Sequence, residues 1–121
     1  MGKLLNIIAF ASAAAVSGPA GAQIIPGRVT SQQIATVCNE NQAACLTYVV
    51  GALDGYFSAM VDNGRPITIC LPAGIANGQL ATIAVRFIRA HPERATANAG
   101  EMVVLALRQA YPCRPPAAPR H

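Results

Sequence analysis

The chain has 121 residues, of which 53% are hydrophobic, and its formal net charge is +4. This length is enough for one domain with a single modest core. The basic excess is mild and its arginines are scattered along the chain, whereas a nucleic-acid surface needs a dense basic patch, so we expect no nucleic-acid partner.

The first 22 residues have the three parts of a secretory signal peptide. Lys3 supplies positive charge, residues 4–16 form an apolar run, and Ala-Gly-Ala at 20–22 is a small-x-small cleavage site. A retained membrane anchor is the alternative, but the apolar run is shorter than the ~20 residues that span a bilayer. We therefore predict an exported protein whose mature form begins at Gln23 and has no membrane contact after cleavage.

Four cysteines, all in the mature part, predict two disulfides in an exported chain of this size. They are Cys38, Cys45, Cys70 and Cys113. Their spacing lacks the short paired units of a zinc site, and no C-x-x-C pair is present, which argues against a metal-binding domain and against a thiol oxidoreductase. We expect no metal and no cofactor.

Residues 23–29 are interpreted as a leader, and residues 30–113 as a helical domain. Thr30, with Gln33 three residues later, matches a capping box and predicts the start of a first helix. Asn41 can cap a second helix over about residues 43–61.

The second helix carries three small residues at four-residue spacing, Gly51, Gly55 and Ala59, which we call the small-residue ridge. A glycine inside a helix costs about 1 kcal/mol relative to alanine, so such a ridge usually packs against another backbone. Intramolecular packing is the first interpretation, and a homodimer face is the second. Packing inside a membrane is disfavoured by Asp54 and Asp62 in the same segment.

Residues 67–71 favour extended structure, but no partner strand is in view, so they are interpreted as a connector. A third helix is predicted over about residues 76–90, because its apolar residues recur at helical spacing. His91 ends this helix, since a residue before proline is biased out of helical geometry.

A fourth helix is predicted from the Asn98 cap to Pro112. Residues 114–121 contain three prolines and are predicted to form a disordered tail. The predicted fold is therefore an all-α bundle of about four helices, stapled by disulfides.

The four cysteines can pair in three ways. A hairpin of the third and fourth helices would bring Cys70, before the hairpin, close to Cys113, after it, and this favours that pair. Cys38 and Cys45 would then close the turn between the first two helices.

Catalytic groups are scarce in the mature chain. Its histidines are His91, in a His-Pro-Glu turn, and His121, at the end of the tail. No nucleophile–base set, phosphate-binding loop or pair of helical histidines is apparent. We therefore expect a binding or stress-protection protein and no enzyme.

An ordered set of short motifs, with the cysteines in register, spans roughly residues 38–113 and resembles the Rap/Tai-type immunity proteins associated with type VI secretion amidase effectors. The motifs are Cys45-Leu46-x-Tyr48-Val49-x-Gly51, Asp54-Gly55, Ile69-Cys70-Leu71-Pro72-x-Gly74-Ile75, Gln79-Leu80, His91-Pro92-Glu93 and Ala106-Leu107-x-x-Ala110-Tyr111-Pro112-Cys113. The chain departs from its relatives at Ala76, where they tend to have a capping threonine.

The resemblance implies a periplasmic, disulfide-bonded helical protein, often dimeric, that binds a peptidoglycan amidase and blocks its active site. It implies no catalysis and no cofactor. In this family a loop between helices is thought to enter the effector's cleft, and the candidate here is the turn of His91, Pro92, Glu93 and Arg94. The alternatives are a turn that merely stops a helix and, for the whole protein, a periplasmic stress-protection or chaperone-like protein without an amidase partner. An accessory protein of an enzyme, anchored by the signal peptide, ranks third.

Overall fold

The computed structural model describes residues 29–114, which form four α-helices. They are α1 (Ser31–Glu40), α2 (Gln42–Asp62), α3 (Asn77–Ala90) and α4 (Ala99–Ala110). No strand is present in this range, and the prediction of an all-α fold is confirmed. The predicted signal peptide, the leader up to Arg28 and the tail from residue 115 lie outside the described residues.

Side-chain caps explain where the helices begin. Thr30 Oγ1 accepts a hydrogen bond from the Gln33 backbone N–H at 3.2 Å, and Gln33 Oε1 accepts one from the Thr30 N–H at 2.9 Å, which completes the predicted capping box. Asn41 caps α2 by accepting from the N–H three residues later. At the start of α3, Ala76 has no side-chain acceptor, and Gln79 Oε1 alone contributes, by accepting from the Ala76 N–H.

The hydrophobic core lies between the four helices, and α4 is its most deeply buried element. Five α4 residues are at most 2% exposed, namely Ala99, Met102, Val103, Ala106 and Leu107. Buried residues of α2 and α3 surround them at helical spacing: Cys45, Val49, Leu53, Tyr56, Leu80, Ala84 and Ile88. The face predicted for α3 is therefore the face that it buries.

The connector before α3 runs beside the chain that follows α4. The Cys70 N–H donates to the Tyr111 carbonyl at 2.9 Å, and the Cys113 N–H donates to the Thr68 carbonyl at 3.3 Å. The connector therefore has a pairing partner, although the sequence indicated none. That partner is distant in sequence and short, so it has no strand pattern of its own.

Both disulfides have the pairing that the hairpin argument favours. Cys38 and Cys45 join the end of α1 to the start of α2, with Cα atoms 4.6 Å apart. Cys70 and Cys113 join the two ends of the α3–α4 hairpin, with Cα atoms 4.8 Å apart. The first bond closes a local turn with a sequence separation of 7, and the second closes a segment with a sequence separation of 43.

One described helix, α2, is long and apolar enough to cross a membrane by length and composition alone. This is weak evidence, because core helices of soluble proteins meet the same criterion. In this fold α2 supplies four buried side chains to the core and is bonded to α1 by a disulfide.

Candidate functional site

The turn singled out in the sequence lies between α3 and α4, on the surface. His91 ends α3, and Pro92–Arg94 form a single turn of 3₁₀-helix. Proline suits the first position of a helix, because its missing N–H has no partner there and its φ is already helical. Pro92, Glu93 and Arg94 are exposed, whereas His91 is half-buried.

The His91 ring is fixed against the last turn of α3. Its centroid lies 4.2 Å from that of Phe87, with the ring planes inclined at 35°. His91 Nδ1 lies 2.7 Å from the Phe87 carbonyl oxygen, so this nitrogen carries the proton and donates it. The His91 ring is therefore packed in place where the exposed turn begins. This agrees with the interpretation of His91 as the residue at which α3 ends.

The chain after the turn is bonded to the start of α1. The first N–H groups of a helix have no partner inside it. Here the Ser31 N–H donates to the Ala97 carbonyl and the Gln32 N–H donates to the Ala95 carbonyl, both at 2.9 Å. Ser31 is 1% exposed, and its Oγ also donates to the Ala97 carbonyl. We call this contact the α1 clasp, and it attaches the residues directly after the turn to the start of α1.

A shallow cleft of about 430 Å³ opens beside the turn, between α3 and α4. Its lining consists of Phe87, His91, Glu93, Arg94, Leu105, Arg108 and Gln109. Apolar side chains thus alternate with both signs of charge, which suits contact with a protein surface. The α4 residues of this lining, Leu105, Arg108 and Gln109, were not predicted as site residues from the sequence. Antiparallel packing of the two helices beside a short turn is the signal that could have placed them here.

Each arginine of this cleft already contacts a neighbouring side chain of the bundle. Arg108 Nε donates to Thr68 Oγ1 at 2.9 Å, and Arg94 Nη1 lies 4.0 Å from Met102 Sδ. Arg94 and Arg108 are both exposed, and they line the cleft together with the exposed Glu93. The cleft can therefore offer positive and negative groups to a partner from positions fixed by the bundle.

The small-residue ridge faces outward. Gly51, Gly55 and Ala59 are all exposed, and no atom of residues 29–114 that could obstruct one lies within 4 Å of a Cβ built on either glycine. Both glycines lie on the side of α2 opposite the buried Val49 and Leu53. Within residues 29–114 no backbone therefore packs against these two glycines, and the interpretation as intramolecular packing gains no support there. The homodimer face stays a prediction.

The described residues offer neither a free thiol nor a metal-binding group. All four are bonded, so none is a free thiol. Among the described residues, no group of three or more His, Cys, Asp and Glu side chains is arranged to hold a metal ion.

The family model described as Rap1a immunity proteins matches residues 27–113. This match includes all four helices, both disulfides and the turn between α3 and α4. The chain has no significant match among curated proteins or among solved structures.

Proposed function

The chain belongs to the Rap1a immunity protein family, and on this premise we propose that it binds and inhibits a peptidoglycan amidase effector of a type VI secretion system. The predicted signal peptide and the two disulfides support the periplasm as the compartment, because disulfides persist in oxidising compartments. The protein acts by binding, without catalysis and without a cofactor. A homodimer formed through the small-residue ridge is part of the same proposal.

The observation that carries the proposal is the fixed, exposed turn at Pro92–Arg94. A loop that enters an enzyme's cleft binds more tightly when its conformation is set beforehand, since less conformational entropy is lost on binding. The α1 clasp and the Phe87–His91 stack set that conformation here. Glu93 and Arg94 are exposed at the tip and carry opposite charges, so groups in a partner's cleft can pair with both.

The test mixes the mature protein, residues 23–121, with the purified amidase encoded beside its gene and measures peptidoglycan cleavage. We expect inhibition by the natural protein. Exchanging the two tip charges, Glu93→Arg with Arg94→Glu, keeps the net charge and should abolish inhibition. The matched control exchanges another exposed pair, at the end of α2 and in the turn that follows it, Asp62→Arg with Arg65→Asp, and should inhibit normally.

Failure of the natural protein to bind or inhibit that amidase would contradict the proposal. Protection of unrelated proteins at low pH, without effect on the amidase, would favour a chaperone-like protein instead. Equal inhibition by both exchanged variants would remove the turn from the inhibitory surface and leave the immunity function in place.

A further inference from the structure

A second groove lies along another face of α3, the one that carries Ala81, Val85 and Arg86. It is open, has a volume of about 660 Å³, and runs between α3 and the corner where α1 meets α2. The Cys38–Cys45 disulfide lies in its lining at this corner. Leu46 and Val85 supply apolar surface, and both are only half-buried within the chain.

The charged residues that line the groove are all basic. Arg86 and Arg89 of α3 line it, and no acidic residue is among its lining residues. Arg89 donates to Asn39 Oδ1 at the end of α1, which holds its guanidinium in place. The first turn of α2 also faces the groove and adds the positive end of that helix's dipole. An occupant that fits must bring apolar side chains together with a carboxylate.

The groove and the exposed turn are joined through the end of α3. Arg89 in the groove is two residues before His91, which begins the turn. A stable protein–protein interface covers roughly 800 Å² on each partner and about 20–30 residues, far more than a four-residue turn provides. A partner seated on the turn must therefore cover neighbouring surface, and the groove begins at the same end of the same helix.

We propose that this groove is a second docking surface for the effector and takes a segment in which an apolar side chain is flanked by aspartate or glutamate. This inference rests on the proposed function. The apolar side chain packs on Leu46 and Val85, and the carboxylate pairs with Arg86. The open shape suits a protein segment better than a small molecule, which a binding pocket would enclose on most sides.

The test is a binding measurement by calorimetry between the mature protein and the inactivated amidase encoded beside its gene. Arg86 is exposed, so Arg86→Glu should keep the fold and weaken binding by roughly tenfold or more. Arg86→Lys should keep most of the affinity. The matched control is Arg65→Glu, the same change at an exposed position outside the groove, and it should bind as the natural protein does.

Rescue would identify the partner residue. Changing one acidic amidase residue to lysine should restore binding to the Arg86→Glu protein and weaken binding to the natural one. Equal amidase affinities of the Arg86→Glu and Arg65→Glu proteins would overturn the proposal that the groove binds the effector, and would leave the proposed function intact. If Arg86→Glu changes the oligomeric state measured by light scattering but leaves amidase binding unaffected, the groove binds a second copy of the chain. That result would also overturn the proposal. Absence of binding by the natural protein would contradict the proposed function and the groove together.

Discussion

Tyr56 and Thr68 are joined by two hydrogen bonds that attach the connector to α2. The Thr68 backbone N–H donates to the Tyr56 hydroxyl at 2.9 Å, and the two hydroxyl oxygens lie 2.8 Å apart. Arg108 of α4 donates to the same threonine hydroxyl. Burial acts to raise the pKa of Tyr56, but the bonds from Thr68 and the charge of Arg108 outweigh it, and the pKa lies below its ordinary value of 10.0.

Removal of the Tyr56 hydroxyl should loosen the connector. We expect Tyr56→Phe to lower the free energy of unfolding by about 1 kcal/mol, because the Thr68 N–H loses its acceptor in a partly buried place. Urea denaturation followed by circular dichroism measures this. Tyr111→Phe is the control, since no hydrogen bond of its hydroxyl occurs within residues 29–114. Equal losses in both variants would contradict the role of the bond.

Two glycines with open surroundings should respond to alanine in opposite directions. Gly55 lies inside α2, and no obstructing atom of the described residues lies within 4 Å of an added Cβ, so Gly55→Ala should raise stability by about 1 kcal/mol. Gly64 is equally open, but its φ is +60°, and Gly64→Ala should destabilise the protein by about 1 kcal/mol. Thermal denaturation of the two variants compares them directly, and a gain at Gly64 would show that the turn differs from this geometry.

The ridge gives a separate prediction about assembly. If two copies pack through it, Gly55→Leu should shift the protein to monomer without unfolding it, because no obstructing atom of residues 29–114 lies within 4 Å of a Cβ added at Gly55. Light scattering gives the mass, and circular dichroism checks the helices. Replacement of Thr36 by leucine on the exposed side of α1 is the control, because it adds the same side chain away from α2. An unchanged mass for a dimeric Gly55→Leu protein would place the dimer face elsewhere.

The two disulfides should differ in their contribution to stability. The chain-entropy model assigns about 4 kcal/mol to a closed segment the length of Cys70–Cys113 and about 2.5 kcal/mol to one the length of Cys38–Cys45. Double replacement of each pair by serine, followed by chemical denaturation, measures the difference. A larger loss from the short loop would indicate that packing at the α1–α2 corner outweighs chain entropy.

Alkaline pH should weaken the fold through Tyr48. Burial raises the pKa of its phenol above 10.0, and the hydrogen bond at the Gly100 backbone offsets this only in part. The folded state holds the phenolic proton more tightly than the unfolded chain, so this stability is complete below pH 10 and is lost as the pH rises through the folded-state pKa. Tyr48→Phe should therefore lose less stability above pH 10 than the natural protein, in denaturation series at several pH values.

Features with a local signal were predictable from the sequence. The Thr30 and Asn41 caps fix helix starts within a few residues, and the position of Cys70 and Cys113 around a helical hairpin favours their pairing. The α1 clasp and the pairing of the connector were not predictable, because they join backbone groups distant in sequence and require no particular side chain.

The candidate site also has a part that the sequence predicts and parts that depend on how the helices pack. The exposed turn was apparent because His91 precedes Pro92, which signals a helix end. Its cleft and the groove beyond α3 depend on how the helices pack, and Arg86 in isolation has only the pattern of a solvated helix face. The direction in which the small-residue ridge faces also depends on packing, and the four-residue spacing alone does not specify it.

The order of the cysteine pairs has a consequence for how the chain acquires its covalent bonds. Each cysteine pairs with its nearest neighbour in order, the first with the second and the third with the fourth. A chain oxidised from its N-terminus as it enters an oxidising compartment would thus form both native bonds in sequence, with no wrong pair to exchange. The second bond has to wait for Cys113, by which point the whole α3–α4 hairpin has arrived.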